Sequence, residues 1–163
     1  MPFNTVGIGA IPTTPPIRYS PTLQATGLTF TGTNSTYPTY NSYYVKQGYL
    51  VSFWIEVSLA TVTNFGTGQI KLELPVDPHP SSMNHFSAWC WYNPSAAPDV
   101  DPGHVVLQAD HLPNTLVLDL HWYGAATATP KPINEQLFTS TSPFTLTTAS
   151  KIYVNGTYFT DIL

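Results

Sequence analysis

Five histidines and nine Asp or Glu residues are the groups in this chain that could do acid–base or metal chemistry. The histidines are His79, His85, His104, His111 and His121. Zinc sites draw on HExxH or on paired Cys and His a few residues apart, and none of the five falls into such a pattern. The densest group is Asp99-Val100-Asp101-Pro102-Gly103-His104, where two carboxylates and an imidazole share one loop. That spacing could hold a hard cation, but it lacks the Asp/Asn ladder and distal Glu of a calcium loop. A solvated acidic turn is the default, and no metal or other cofactor is expected. Asp110-His111 and Asp119-x-His121 invite a triad reading. A nucleophilic serine needs a positioned base and an oxyanion hole, and the chain has no GxSxG elbow. Asp119 and His121 share one strand face and read as a surface pair. Glycoside hydrolysis needs two carboxylates in a sugar cleft. No pair stands out among Glu56, Glu73, Asp77, Asp99, Asp101, Asp110, Asp119, Glu135 and Asp161. No phosphate-binding glycine loop is present. The chain reads as a non-enzyme with no catalytic residues.

The aromatic residues are more informative. Tyr37, Tyr40, Tyr43 and Tyr44 cluster around a turn and a short strand. Trp54 lies on the polar side of an otherwise clean strand, and Trp89, Trp91 and Tyr92 precede a proline-rich loop. Protein–protein interface cores are rich in aromatics and poor in charge. Tyr40, Tyr43, Trp54, Trp89 and Trp91 are therefore the candidate interface residues. Carbohydrate stacking competes with that reading, and filling the core competes for Trp89 and Trp91. Cys90 is the sole cysteine and sits in Ala88-Trp89-Cys90-Trp91-Tyr92, so no intrachain disulfide can form and a buried apolar thiol is expected.

The elements that must position these side chains read as strands. Residues 1–16, MPFNTVGIGAIPTTPP, have no period, and Pro12, Pro15 and Pro16 impose extended geometry. We expect an extended N-terminal arm over 1–18, whose Phe3, Val6, Ile8, Ile11 and Pro12 contact a partner or the body of the protein. A β domain over 19–163 follows. Leu23, Ala25 and Leu28–Phe30 suggest its first strand, and Tyr40–Val45 a second. Val51, Phe53, Ile55, Val57 and Leu59 alternate with Ser52, Trp54, Glu56 and Ser58, the period of a strand with one buried face. Asn64–Gly68 reads as a glycine-rich turn, making a hairpin with the strand of Ile70, Leu72 and Leu74. Phe86–Tyr92, Val105–Ala109, and Leu116 to Trp122 follow as strands. A short helical turn is expected at Asn134–Phe138, then strands at Phe144–Thr147 and Lys151–Val154. Asn155-Gly156 is the commonest two-residue hairpin turn, with Thr157–Ile162 as its return strand. The fold class is all-β: an antiparallel β-sandwich, jelly-roll-like, with an N-terminal arm.

Composition narrows the function. Five Lys+Arg and nine Asp+Glu make the chain 9% charged, against a usual ~25%. A net charge of −4 with so few cations supplies no phosphate-tracking groove, so nucleic acid is not an expected partner. No stretch approaches the ~20 apolar residues of a membrane helix, and no cationic segment leads an apolar run, so neither membrane nor signal peptide is expected. A surface so poor in charge suits a subunit covered by partners better than a free monomer.

Three segments resemble a module of tailed-bacteriophage virion proteins. They are Tyr19-Ser20-Pro21-Thr22-Leu23-Gln24-Ala25-Thr26-Gly27, then Tyr44-Val45-Lys46-Gln47-Gly48-Tyr49-Leu50-Val51-Ser52-Phe53, then Phe65-Gly66-Thr67-Gly68-Gln69-Ile70-Lys71-Leu72-Glu73-Leu74-Pro75. Val154-Asn155-Gly156-Thr157-Tyr158-Phe159 is similar to the closing strand of that module, while residues 76–143 match none of it. The resemblance implies a non-enzymatic β-sandwich of the virion, often trimeric, found in tail fibres and head decoration proteins. The expected function is that of a capsid decoration (cement) protein, made in the host cytoplasm and working in the virion. Its partners would be the major capsid protein or other virion subunits, with a homotrimer favoured. The alternative is a tail-fibre or receptor-binding tip, with Trp54, Trp89, Trp91 and the Asp99–His104 loop on host glycan. A glycan-active enzyme is a third and weaker class.

Overall fold

The computed structural model describes residues 14–30, 41–92, 103–125 and 133–161. Their regular structure is entirely β: β1 (Ile17–Tyr19), β2 (Leu23–Phe30), β3 (Ser42–Gln47), β4 (Leu50–Ser58), β5 (Val62–Glu73), β6 (Asn84–Tyr92), β7 (Gly103–His111), β8 (Val117–Ala125), β9 (Ile133–Leu137) and β10 (Lys151–Phe159). All pairings are antiparallel, in the order β1-β3-β4-β10-β6-β7-β8-β5-β2, with β9 beside β8. The all-β antiparallel class expected from the sequence is the one adopted. The strands form one continuous sheet curled into a half-barrel. Residues 1–13, which hold the expected contact residues Phe3, Val6, Ile8, Ile11 and Pro12, lie outside the described residues, as does Tyr40. Ile17 and Arg18, within the expected arm, already pair with Tyr44 and Tyr43 of β3.

Alternation decides which face points inward. On β4, Val51, Phe53, Ile55 and Val57 are buried, while Ser52 and Trp54 are exposed. Leu118 and Leu120 of β8 and Ile152, Val154 and Tyr158 of β10 follow the same rule and join one core with Leu23 of β2 and Ile70 and Leu72 of β5. Each such side chain contributes about 1.5–3 kcal/mol by leaving water. On the inner face of β4, β6 and β10, the rings of Phe53, Phe86 and Tyr158 pack at 5.0–6.1 Å between centroids.

The structure corrects four local expectations. Asn155-Gly156 does not turn the chain: β10 runs through it, with Asn155 opposite Trp54 and Gly156 opposite Phe53. The glycine is there for space, because a Cβ would overlap the Phe86 ring. Tertiary packing overrides the turn preference of the dipeptide. Nor do β4 and β5 form a hairpin. A tight turn, with Val62 N donating to Leu59 O at 3.0 Å, sends the chain from one half of the sheet to the other. Asn64–Gly68 lies inside β5, which follows the bulged β2. There Gly66, at φ +64°, lets the two backbones touch; a Cβ would stand 2.7 Å from Leu28 N. Residues 134–137 are part of strand β9, not a helical turn. Phe144–Thr147 forms no strand: Leu146 N donates to Ser140 O (2.8 Å) and Ser150 N to Thr147 O (3.0 Å), folding a loop whose Leu146 enters the core.

Candidate functional site

Outward positions on the sheet carry two clusters. The first is aromatic. β10 lies between β4 and β6, so Tyr153 stands between Trp54 and Trp89. The Trp89 and Tyr153 rings stack, 5.0 Å apart with planes 11° from parallel. Trp54 meets Trp89 edge-on at 5.5 Å and lies tilted against Tyr153 at 6.1 Å. Each ring pair contributes about 0.5–1.5 kcal/mol beyond its buried area. Tyr43 sits directly opposite Trp54 in register, and the Arg18 guanidinium lies over the Tyr43 ring at 5.7 Å. A cation and four rings thus form a band across β1, β3, β4, β10 and β6. Trp54 remains 38% exposed, and Val106, next to Trp89 in register, is 78% exposed. Trp91 is half-buried, opposite Lys151 and His104.

The border of this band is polar. Lys151 Nζ donates to Glu56 Oε1 at 3.0 Å, and that bond holds the ammonium above the ordinary lysine range. Burial among the rings raises the Tyr153 phenol. Asn41 Nδ2 also donates to Glu56, at 3.3 Å, so this carboxylate is engaged on both oxygens.

The second cluster forms where β8 changes partner. Its residues Val117–Asp119 pair with β5, and from His121 onward its neighbour is β9. Phe138 bridges the change: its N–H donates to Leu120 O (3.0 Å) and its carbonyl accepts from Ile70 N (2.9 Å). Above this junction the outward side chains of five strands converge: His85 (β6), Gln108 and Asp110 (β7), His121 (β8), Glu135 (β9) and Gln69 (β5). Asp110 Oδ1 accepts from His85 Nδ1 at 2.6 Å and from Gln108 Nε2 at 2.7 Å. His121 Nδ1 is 2.7 Å from Glu135 Oε1, and its Nε2 is 3.9 Å from Asp110 Oδ2. Gln69 Nε2 donates to Leu120 O (3.2 Å) and to His121 Nε2 (3.0 Å).

The triad reading does not survive this geometry. His111 points inward, fully buried, with Nε2 donating to Thr115 O at 2.8 Å, so it braces the β7–β8 turn on the face opposite Asp110. Asp119 and His121 share a face, but Asp119 pairs with Lys71 at 2.8 Å and His121 with the Glu135 side. Asp77 and Asp161 line one open depression with Asn114 and Thr115. Of the Asp99–His104 loop, residues 99–102 lie outside the described residues, and His104 is exposed on β7.

Tyr153 and Val106 belong to the aromatic face although their local sequence marks neither. Both sit on the same parity as Trp54 or Trp89 once the strands are aligned. The His85–Asp110–His121–Glu135 cluster has no signature in sequence spacing, because its members lie on four strands. No family model matches the chain, and neither a curated protein nor a solved structure matches it.

Proposed function

We propose that the chain is a non-enzymatic structural subunit of a tailed-phage virion, a capsid decoration protein that docks by the outer face of its sheet. The observation that carries this reading is the aromatic band itself. Trp54, Trp89, Tyr153 and Tyr43 line the solvent side of five strands together with exposed Val106. Contiguous aromatic surface of this kind marks interaction sites on soluble domains. Large rigid rings give much contact area for little lost rotamer freedom, and such anchors dominate interface energies. Arg18 and the Glu56–Lys151 pair supply a polar rim. The low overall charge fits a surface that partners cover, and the motifs around Tyr19, Tyr44 and Phe65 supply the virion context.

Attachment to capsids tests it. Purified protein mixed with heads lacking it should co-sediment with them. Trp54→Ala with Trp89→Ala should cut binding at least tenfold while the fold persists, since each anchor is worth about 2 kcal/mol or more. Unchanged attachment, or a map placing the protein on the tail, would overturn the reading.

A second reading rests on the near-parallel Trp89–Tyr153 pair beside Asn155 and Glu56, a flat platform bordered by hydrogen-bonding groups. Sugars stack on such platforms, which would make the protein a tail-fibre or receptor-binding tip. Glycan-array binding lost in Trp89→Ala would favour it.

A further inference from the structure

We infer that the junction of β7, β8 and β9 is a binding site for a divalent transition-metal ion, with Asp110, His121 and Glu135 as its protein ligands. These three groups each offer one donor atom, and the three atoms lie within 4.8 Å of one another. Two carboxylates and an imidazole suit a zinc-type ion, and the imidazole disfavours calcium or magnesium, which take oxygen.

Two observations beside the spacing favour a cation at this point. First, His121 Nδ1 is buried without a hydrogen-bond partner, although Glu135 Oε1 is only 2.7 Å away. The two atoms sit at ion-pair distance without a hydrogen bond, and a shared ion would engage both. Second, carboxylates outnumber the fixed cations here. Asp110 and Asp119 face each other directly in register, an unfavourable placement for like charges. Lys71 neutralises Asp119 at 2.8 Å. Among the described residues no Lys or Arg pairs with Asp110, which is only 9% exposed, or with Glu135.

Binding through Nδ1 places the ring proton of His121 on Nε2. Gln69 Nε2 would then release His121 and keep its bond to Leu120 O, a rotation of one side chain. His85, on the other oxygen of Asp110, orients that carboxylate. The ion would tie β9, which among the described residues pairs with β8, to β7.

Isothermal titration with zinc chloride, after chelator treatment and dialysis, tests the site. One equivalent should bind at micromolar or lower Kd, with magnesium and calcium silent. Cobalt(II) should give the visible absorption of a nitrogen- and oxygen-ligated ion. Glu135→Gln, at a half-exposed position, should weaken zinc at least tenfold, and His121→Gln likewise. His104→Gln, on the same sheet but away from the cluster, should leave affinity unchanged. Absence of stoichiometric zinc binding, or binding that survives in Glu135→Gln and His121→Gln, would overturn the inference.

Discussion

Gly156→Ala puts the interior of the sheet to its hardest test, because a single methyl decides between two local folds. In β10, residue 156 points into the core opposite Phe53, and an added Cβ would overlap the Phe86 ring, with the Cγ and Cε1 carbons both at 3.0 Å. The ring has little room to retreat: it packs edge-on against Phe53 at 5.0 Å and against Tyr158 at 6.1 Å. Overpacking of this kind costs about 1–3 kcal/mol. An unhindered Gly→Ala change would instead add about 0.4–1 kcal/mol by restricting the unfolded chain. We expect a net loss near ~2 kcal/mol, or a melting temperature lower by about 4–8 °C for a chain of this size. Phe86→Ala alone should cost about 3–5 kcal/mol. In the double variant the methyl enters the space the ring vacated, so the losses should fall short of additive by at least ~1 kcal/mol. Urea denaturation followed by tryptophan fluorescence measures all four corners of the cycle. If Asn155-Gly156 were a hairpin turn, alanine would destabilise equally with or without Phe86. Additive losses, or a Gly156→Ala variant within ~0.5 kcal/mol of the parent, would refute the packing argument.

Two further predictions concern buried polar groups. Tyr158 Oη donates to Val76 O at 2.6 Å and accepts from Val76 N at 3.2 Å, so Tyr158→Phe strands both backbone groups and should cost about 1–3 kcal/mol in the same urea assay. A loss below ~0.5 kcal/mol would mean water replaces the hydroxyl. Burial pushes the Cys90 thiol up to about 12, against an ordinary 9.0. At pH 8 the thiolate fraction is then about a thousandfold below that of a free thiol, so a disulfide reagent should label Cys90 only after denaturant is added. Burial also raises the Tyr19 and Tyr158 phenols. The fold holds these protons more tightly than the unfolded chain does. Stability is therefore intact below the unfolded values and falls as pH rises through about 9 for the thiol and about 10 for the phenols. A urea midpoint as high at pH 10.5 as at pH 7 would contradict this.

Period-two alternation was enough to place β4, β8 and the first half of β10, because in those strands one face is wholly apolar. It put Trp54 outward correctly from its neighbours alone. What it could not supply was pairing. Asn155-Gly156 carries a strong local turn preference, and only the Phe86 ring, 70 residues away in sequence, shows why the strand continues. Asn64–Gly68 likewise reads as a turn until Gly66 is seen pressed against the backbone of β2. Asn134, Glu135 and Gln136 are polar and helix-tolerant, and their strand geometry comes from the open edge of β8. The aromatic band was half legible: Tyr43, Trp54 and Trp89 are conspicuous as residues, whereas Tyr153 joins them only through register. The histidine–carboxylate cluster was invisible for the same reason.

The position of β10 has a consequence for how the chain is made. In the pairing order of the described residues, β1-β3-β4 and β6-β7-β8-β5-β2 are linked through β10 alone. During synthesis each block can begin to pair as it leaves the ribosome, yet β4 and β6 keep open inner edges until residues 151–159 emerge. Open edges of hydrophobic strands are templates for pairing with other chains. The nascent protein is therefore exposed to misassembly until β10 is available, and a chain cut short ahead of Lys151 leaves two unsealed half-sheets instead of a shortened version of the fold.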